Sequence, residues 1–243
     1  MRITFFTLLV AFGANLANAD QLFVSGERPP QLIELFTSEG CSSCPPADHF
    51  LTKLKNEEGL WTDFVPVAFH VDYWDWLGWK DRFASKDFSN RQRNYARQRQ
   101  ADSVYTPGFM VAGEEWRGFF RGQQLPVNSQ LVAPKLSLFV IGDEYELKLA
   151  SGANRVGKTH VAVLGMDLQT PVKRGENAGR TLIHDFVVLD WQTFQAGETE
   201  WKGKINLDES VGTDKFAIAA WVENANTRTP LQVVGGYLEQ PQP

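Results

Sequence analysis

The chain has 243 residues, 43% of them hydrophobic and 22% charged, proportions that exclude an extended disordered chain and a polytopic membrane protein. A formal net charge of -5 is the wrong sign for neutralising phosphates, which excludes nucleic acid as a partner class. At roughly 150 residues per domain the length allows one or two domains, and the chain holds only two cysteines, Cys41 and Cys44.

The first 19 residues, MRITFFTLLVAFGANLANA, carry Arg2, an apolar run from Ile3 to Phe12 and a small-x-small ending at Ala17 to Ala19. This is the plan of a secretory signal peptide cleaved before Asp20, and the run is too short to span a bilayer. No later stretch approaches 18 unbroken apolar residues, so the expected product is periplasmic or secreted, with no membrane insertion after cleavage. Export changes the meaning of the cysteines, because oxidising compartments favour disulfides. Bridging a C-x-x-C pair closes a four-residue loop, worth roughly 2 kcal/mol on the chain-entropy relation, against about 4.7 kcal/mol for a 100-residue loop. The pair is therefore better explained by redox chemistry than by stapling.

Gln31 to Phe36 (QLIELF) predicts a buried strand, Thr37 to Gly40 a turn, and Pro45 to Glu57 a helix with Phe50, Leu51 and Leu54 on one stripe. Prolines belong in a helix's first turn, which places its start beside the cysteines. Two registers are open. A start near Ser42 aims free N–H groups and the positive dipole end at Cys41, favouring its thiolate; a start at Pro46 weakens that effect. In this arrangement Cys41 attacks a disulfide and Cys44 resolves the mixed disulfide. Strand, turn, C-x-x-C and helix begin a thioredoxin-like unit.

A second strand is predicted at Phe64 to Val71. Residues 61 to 79 hold seven aromatic residues, including Tyr73, Trp74, Trp76 and Trp79, read as a capping subdomain or a substrate platform. His70, ending the strand, is a candidate third ligand beside two thiolates. Asp87 to Gln100 reads as an exposed helix with Arg91, Arg93, Arg97 and Arg99 on a solvated face. Val104-Tyr105-Thr106-Pro107 precedes the hairpin-like FMVAG and EEWRGFF, and Glu34, inside the apolar run, is the candidate acceptor for the Cys44 proton. From Leu136 onward the pattern is strand-like throughout, suiting an antiparallel sandwich. RGENAGRT fails as a phosphate loop because Gly175 and Gly179 are one residue too close and Arg180 stands where lysine is required; its Arg174, Glu176, Asn177 and Arg180 read as a polar loop, either structural with internal salt bridges or meeting the first domain.

The segments LIELFTSEGCSSCPPAD, HVDYWDWLGWKDRFAS, VYTPGFMVAG and RGENAGRTL together resemble a family of exported bacterial proteins catalogued only as a domain of unknown function, with a thioredoxin-like N-terminal region. The resemblance spans about residues 30 to 235 and implies a thioredoxin-like fold, a dithiol at Cys41 and Cys44, and Thr106-Pro107 as the loop facing it. The final helix of such a unit is in doubt, because Arg121 to Pro134 is short and carries Pro126.

The expected fold class is thus an α/β thioredoxin-like domain followed by an all-β, sandwich-like domain, divided as leader 1–19, thioredoxin-like domain 20–130 with its helical and aromatic insertion, and sandwich 131–243. The expected function is thiol-disulfide exchange with protein or small-molecule disulfides and a redox partner, using Cys41, Cys44, Thr106, Pro107 and Glu34. No cofactor beyond the cysteines is required. The rivals are a copper(I)-handling protein using both thiolates and a non-catalytic binding module.

Overall fold

Short alternating or fully apolar runs, punctuated by glycine turns, give this chain mostly strands. The computed structural model describes residues 20–128 and 132–239, so the leader at 1–19 lies outside the described residues. The first half contains β1 (Gln21–Val24), β2 (Gln31–Thr37), α1 (Pro45–Leu54), β3 (Phe64–His70), a 3-10 helix at Asp72–Leu77, α2 (Lys86–Arg97), β4 (Gly108–Val111) and β5 (Glu114–Glu115). A 3-10 turn at Gly118–Arg121 leads to β6 (Leu136–Ile141), β7 (Glu144–Leu149), β8 (Val156–Gly165), β9 (Leu168–Pro171) and β10 (Thr181–His184). Then come β11 (Val187–Phe194), β12 (Glu200–Lys204), β13 (Phe216–Asn224) and β14 (Pro230–Leu238).

The expected fold class is corrected here. Among the described residues strands make up 41% and helices 16%, and the strands do not separate into an α/β unit and a sandwich. One sheet of eight strands runs in the order β14-β13-β8-β11-β3-β2-β4-β5, with strands from both sides of residue 130. The join is the parallel pairing of β3 with β11, Ala68 opposite Val187, reinforced by Ala68 N–H donating to Phe186 O at 2.8 Å. The physical reason lies in β2 and β3. Nearly every residue of both is buried, as in parallel strands covered on both faces, and β11 covers the edge that β3 would otherwise expose.

A second sheet, β1-β6-β7-β12, packs against the far part of the large one. Alternation along β8 and β13 explains how one strand serves two cores. Val161, Val163, Ile218 and Ala220 meet Leu138, Tyr145, Leu147 and Trp201 of the smaller sheet. The intervening Ala162, Leu164, Ala219 and Trp221 join the core under α1 and α2 with Leu35, Phe36, Leu51 and Phe69. β9 and β10 pair only with each other, and the loop joining them carries the RGENAG segment. Gly122 to Asn128 form no helix, as Pro126 requires.

Candidate functional site

Cys41 and Cys44 are joined by a disulfide with Cα atoms 5.4 Å apart. β2 delivers the chain to the turn Ser38 to Gly40, where Cys41 N–H donates to Ser38 O at 3.1 Å and Cys44 N–H to Cys41 O at 3.2 Å. Cys44 is the N-cap of α1, and its carbonyl accepts from Ala47 N–H at 2.8 Å and Asp48 N–H at 3.1 Å. The helix therefore starts between the two registers open in the sequence. Its first two positions are Pro45 and Pro46, which have no N–H to offer, so the backbone donors a Cys41 thiolate would use at a helix start are missing. The donor that is present is Ser43, whose Oγ lies 3.4 Å from Cys41 Sγ. Both sulfurs are sealed, with Cys41 1% and Cys44 0% exposed, while Ser42 and Ser43 between them are exposed.

Two aromatic side chains of the 3-10 segment, with Trp79 just beyond it, build the wall of the site. Trp74 Nε1 donates to Thr106 Oγ1 at 2.7 Å, Tyr73 O–H to Gln92 Oε1 at 3.0 Å, and Trp79 Nε1 to Glu39 Oε2 at 2.7 Å. Burial pushes the Tyr73 hydroxyl up to about 12. Trp74 also closes over Gly40, where an added Cβ would come 3.0 Å from the Trp74 Cβ. The aromatic block is thus capping structure for the most part; Trp76, 79% exposed, is the member left open to a partner.

Thr106-Pro107 is a cis peptide. Gln92 Nε2 donates to Tyr105 O at 2.6 Å, and the following Gly108 pairs with Phe36 of β2. The tryptophan bond from Trp74 therefore links the Thr106 hydroxyl to the wall beside Gly40.

Glu34 lies elsewhere. It is fully buried, but Arg91 Nε donates to its Oε1 at 2.5 Å and Tyr95 O–H to its Oε2. Both oxygens are spent on α2, so its assignment as acceptor of the Cys44 proton is withdrawn. Arg91 itself, expected on a solvated face, is 8% exposed and also donates to Glu223 Oε1 at 3.2 Å.

The acids beside the dithiol are ones the sequence reading missed. Glu39, two residues before Cys41, and Asp48, one helical turn after Cys44, are 0% and 5% exposed. His184, at the end of β10, enters between them, with Nε2 3.5 Å from Glu39 Oε1 and Nδ1 3.9 Å from Asp48 Oδ2. Burial raises the Asp48 carboxyl above its ordinary value. His70, also fully buried, faces His184 with ring centroids 4.9 Å apart and places Nδ1 2.7 Å from Asp81 Oδ2. Burial works against the charged imidazole, but the Asp81 carboxylate prevails and raises it, and His70 in turn holds Asp81 low against the same burial. Asp81 also accepts Glu39 N–H at 2.9 Å and Phe83 N–H at 2.9 Å. His70 is thus committed to Asp81, and among the described residues no three His, Cys, Asp or Glu side chains are gathered to hold a metal.

The loop between β9 and β10 completes the site from the other half of the chain. Asn177 Nδ2 donates to Glu39 O at 2.9 Å and to Cys41 O at 2.9 Å, and Glu176 Oε2 accepts Ser42 N–H at 3.0 Å. The Ser42 side chain first, and this backbone N–H second, hold the Glu176 carboxyl below its usual range.

Residues 32–223 match the family described as "Protein of unknown function (DUF1223)". The chain belongs to that family. Its match runs from β2 through β13 and so takes in both cysteines, the cis proline and the Asn177 loop. No curated protein matches. Among solved structures, a structural-genomics protein from Agrobacterium tumefaciens is similar at 28% identity and a TM-score of 0.60, over 90% of this chain and 99% of that one. HBP35 of Porphyromonas gingivalis is similar at 14% identity and a TM-score of 0.51, over 90% of this chain and 78% of that one, a likeness of fold alone.

Proposed function

We propose that this protein is an exported thiol-disulfide oxidoreductase working through Cys41 and Cys44. The observation that carries the reading is the disulfide itself. It bridges residues three apart at a strand-to-helix junction, where it stabilises little, about 2 kcal/mol for so short a loop, and where polar groups from both halves of the chain converge. In the oxidising direction a substrate thiolate attacks Cys41 Sγ, the Cys41–Cys44 bond breaks, and Cys44 leaves as thiolate and takes a proton. The second substrate thiolate then attacks the substrate sulfur of the mixed disulfide, and Cys41 leaves as a thiolate that Ser43 Oγ–H can hydrogen-bond. Two electrons pass from the substrate dithiol to the cysteine pair, and the two substrate protons balance those taken up by Cys41 and Cys44; the reverse sequence reduces a substrate disulfide. Thr106, bonded by the Trp74 that closes over Gly40, and Pro107 are assigned to orienting the substrate, and the partners are protein or small-molecule thiols and disulfides in the periplasm or outside the cell, reached through the leader at 1–19.

Burial of both sulfurs favours one competing reading, a structural staple. The variants Cys44→Ser and Cys41→Ser separate them. We expect Cys44→Ser to capture an aromatic disulfide probe as a mixed disulfide releasable by dithiothreitol, Cys41→Ser to capture none, and both to reduce insulin disulfides at background rate. Failure of Cys44→Ser to capture the probe, with both variants losing only about 2 kcal/mol of stability, would establish the staple.

A further inference from the structure

We infer that Asn177, carried on the β9–β10 loop, is a positioning residue for the dithiol: it sets the acidity of Cys41 by holding the carbonyls on either side of Gly40. This rests on the exchange reading above and extends it to a residue 136 positions from the cysteine it serves.

The geometry is specific. Asn177 is 0% exposed, and a buried amide must place its donors or lose their hydrogen bonds. Its single Nδ2 serves Glu39 O and Cys41 O, both at 2.9 Å, while its Oδ1 accepts from Arg180 Nη1 at 3.1 Å. The amide is therefore fixed at both ends, with its positive end toward the cysteine turn. Cys41 O also accepts Cys44 N–H at 3.2 Å, so the carbonyl dipole is turned to two donors. A carbonyl left to rotate presents its negative end to the neighbouring sulfur and raises the cost of a thiolate there. Because the α1 start offers two prolines in place of N–H donors, the thiolate lacks the usual backbone support, and the orientation of these carbonyls carries more of the weight. The loop has its own anchors. Gly175, at φ +77°, lies so close to Trp79 that an added Cβ would be 3.1 Å from the Trp79 Cβ, and Glu176 takes Ser42 N–H. This gives the segment RGENAG, rejected above as a phosphate loop, a place in the site, and it gives the cysteine-free half of the chain a part in the chemistry.

Asn177→Asp is close to isosteric but points a carboxylate at two carbonyl oxygens; Asn177→Ser removes both bonds without adding charge. Both are read in the full chain after reduction, by the ultraviolet absorbance of the thiolate against pH and by equilibrium with glutathione. We expect Asn177→Asp to raise the Cys41 thiol pKa, cutting the thiolate fraction near neutral pH about tenfold, and to move the exchange equilibrium about tenfold toward the disulfide, a shift of about 30 mV. Asn177→Ser should move both readouts in the same direction by less, and it decides the matter if the aspartate variant does not fold. Unchanged acidity and unchanged equilibrium in folded Asn177→Ser, with only a lower melting temperature, would make Asn177 a structural residue and overturn the inference. The exchange reading fails separately, if Cys44→Ser with Asn177 intact captures no probe.

Discussion

Replacing Arg91 by leucine should cost about 3–5 kcal/mol of folding stability, the range for breaking a buried ion pair from one side. The guanidinium sits in the core between Glu34 and Glu223 and is 8% exposed. Burial opposes its charge, but the Glu34 carboxylate beside it, with Glu223, holds its pKa above the ordinary arginine value. Its carbon Cζ lies 5.5 Å from the Trp191 ring centroid and 5.3 Å from that of Trp221, so cation-π attraction is lost as well. Removing the cation leaves Glu34, which is fully buried, with only the Tyr95 hydroxyl. Urea unfolding followed by tryptophan fluorescence measures the loss directly. Adding Glu34→Gln and Glu223→Gln to Arg91→Leu should recover part of it, because the stranded charges go too. A loss below about 1 kcal/mol in the single variant would show that water reaches the pair.

That network also sets α2 apart from the solvated helix its sequence suggests. Arg91, Arg93, Arg97 and Arg99 look from the sequence like one basic, solvated face. Phe88, Arg91, Gln92 and Tyr95, at helical spacing, in fact point into the protein. The hint was available in Glu34: an acid inside the apolar run QLIELF needs a cation, but nothing local says which, and its partner lies 57 residues away. The dithiol was legible because all of its signal is local: strand, turn, C-x-x-C and two prolines are contiguous. Several strands of the second half are legible for the same reason, and the run LSLFVI is β6 residue for residue, but β9 gives no such run, KINL begins where β12 ends, and TLIHDFVVLDW is two strands, β10 and β11, in different sheets.

What failed was pairing. β3 is apolar on both faces, which says that it needs two neighbours, yet β2 lies just before it in sequence while β11 lies more than a hundred residues on. A local reading closes the first unit at residue 130, leaving β3 without its second neighbour, and makes the rest a separate sandwich; the sheet does the opposite. The site residues missed follow the same rule. Glu39 and Asp48 flank the cysteines and belong beside Glu34 as candidates, whereas His184 reaches them only because β10 packs beside α1; the polar loop of Arg174, Glu176, Asn177 and Arg180 does meet the first half of the chain, through Asn177 and Glu176.

Stability should fall by about 3 kcal/mol through His160 alone as pH drops from about 6.5 to about 4. His160 lies flat between Trp191 and Trp221, with ring centroids 5.4 and 5.0 Å away and interplanar angles of 19° and 25°. Its Nδ1 is 3.0 Å from Thr193 Oγ1 and its Nε2 3.1 Å from Glu223 Oε1. Burial is the main cause that lowers its pKa from 6.5 to about 4, and the Arg91 charge adds to it against the pull of Glu223. A base depressed in the folded state takes up its proton more readily when unfolded, so between these pH values the unfolded chain binds more protons and stability is lost on acidification, at 1.36 kcal/mol per pKa unit. Glu223, lowered to about 2, sheds its own contribution at lower pH, below about 4.5. His70 has the opposite sign: raised in the folded protein, it stabilises below its unfolded value and loses that contribution as pH rises through the folded one. Urea melts of the wild type and of His160→Gln at pH 7 and pH 4 isolate the term, since His70 is common to both. The wild type should lose about 3 kcal/mol more than the variant, and parallel losses would mean that the imidazole between the two tryptophans takes up its proton at the same pH folded as unfolded.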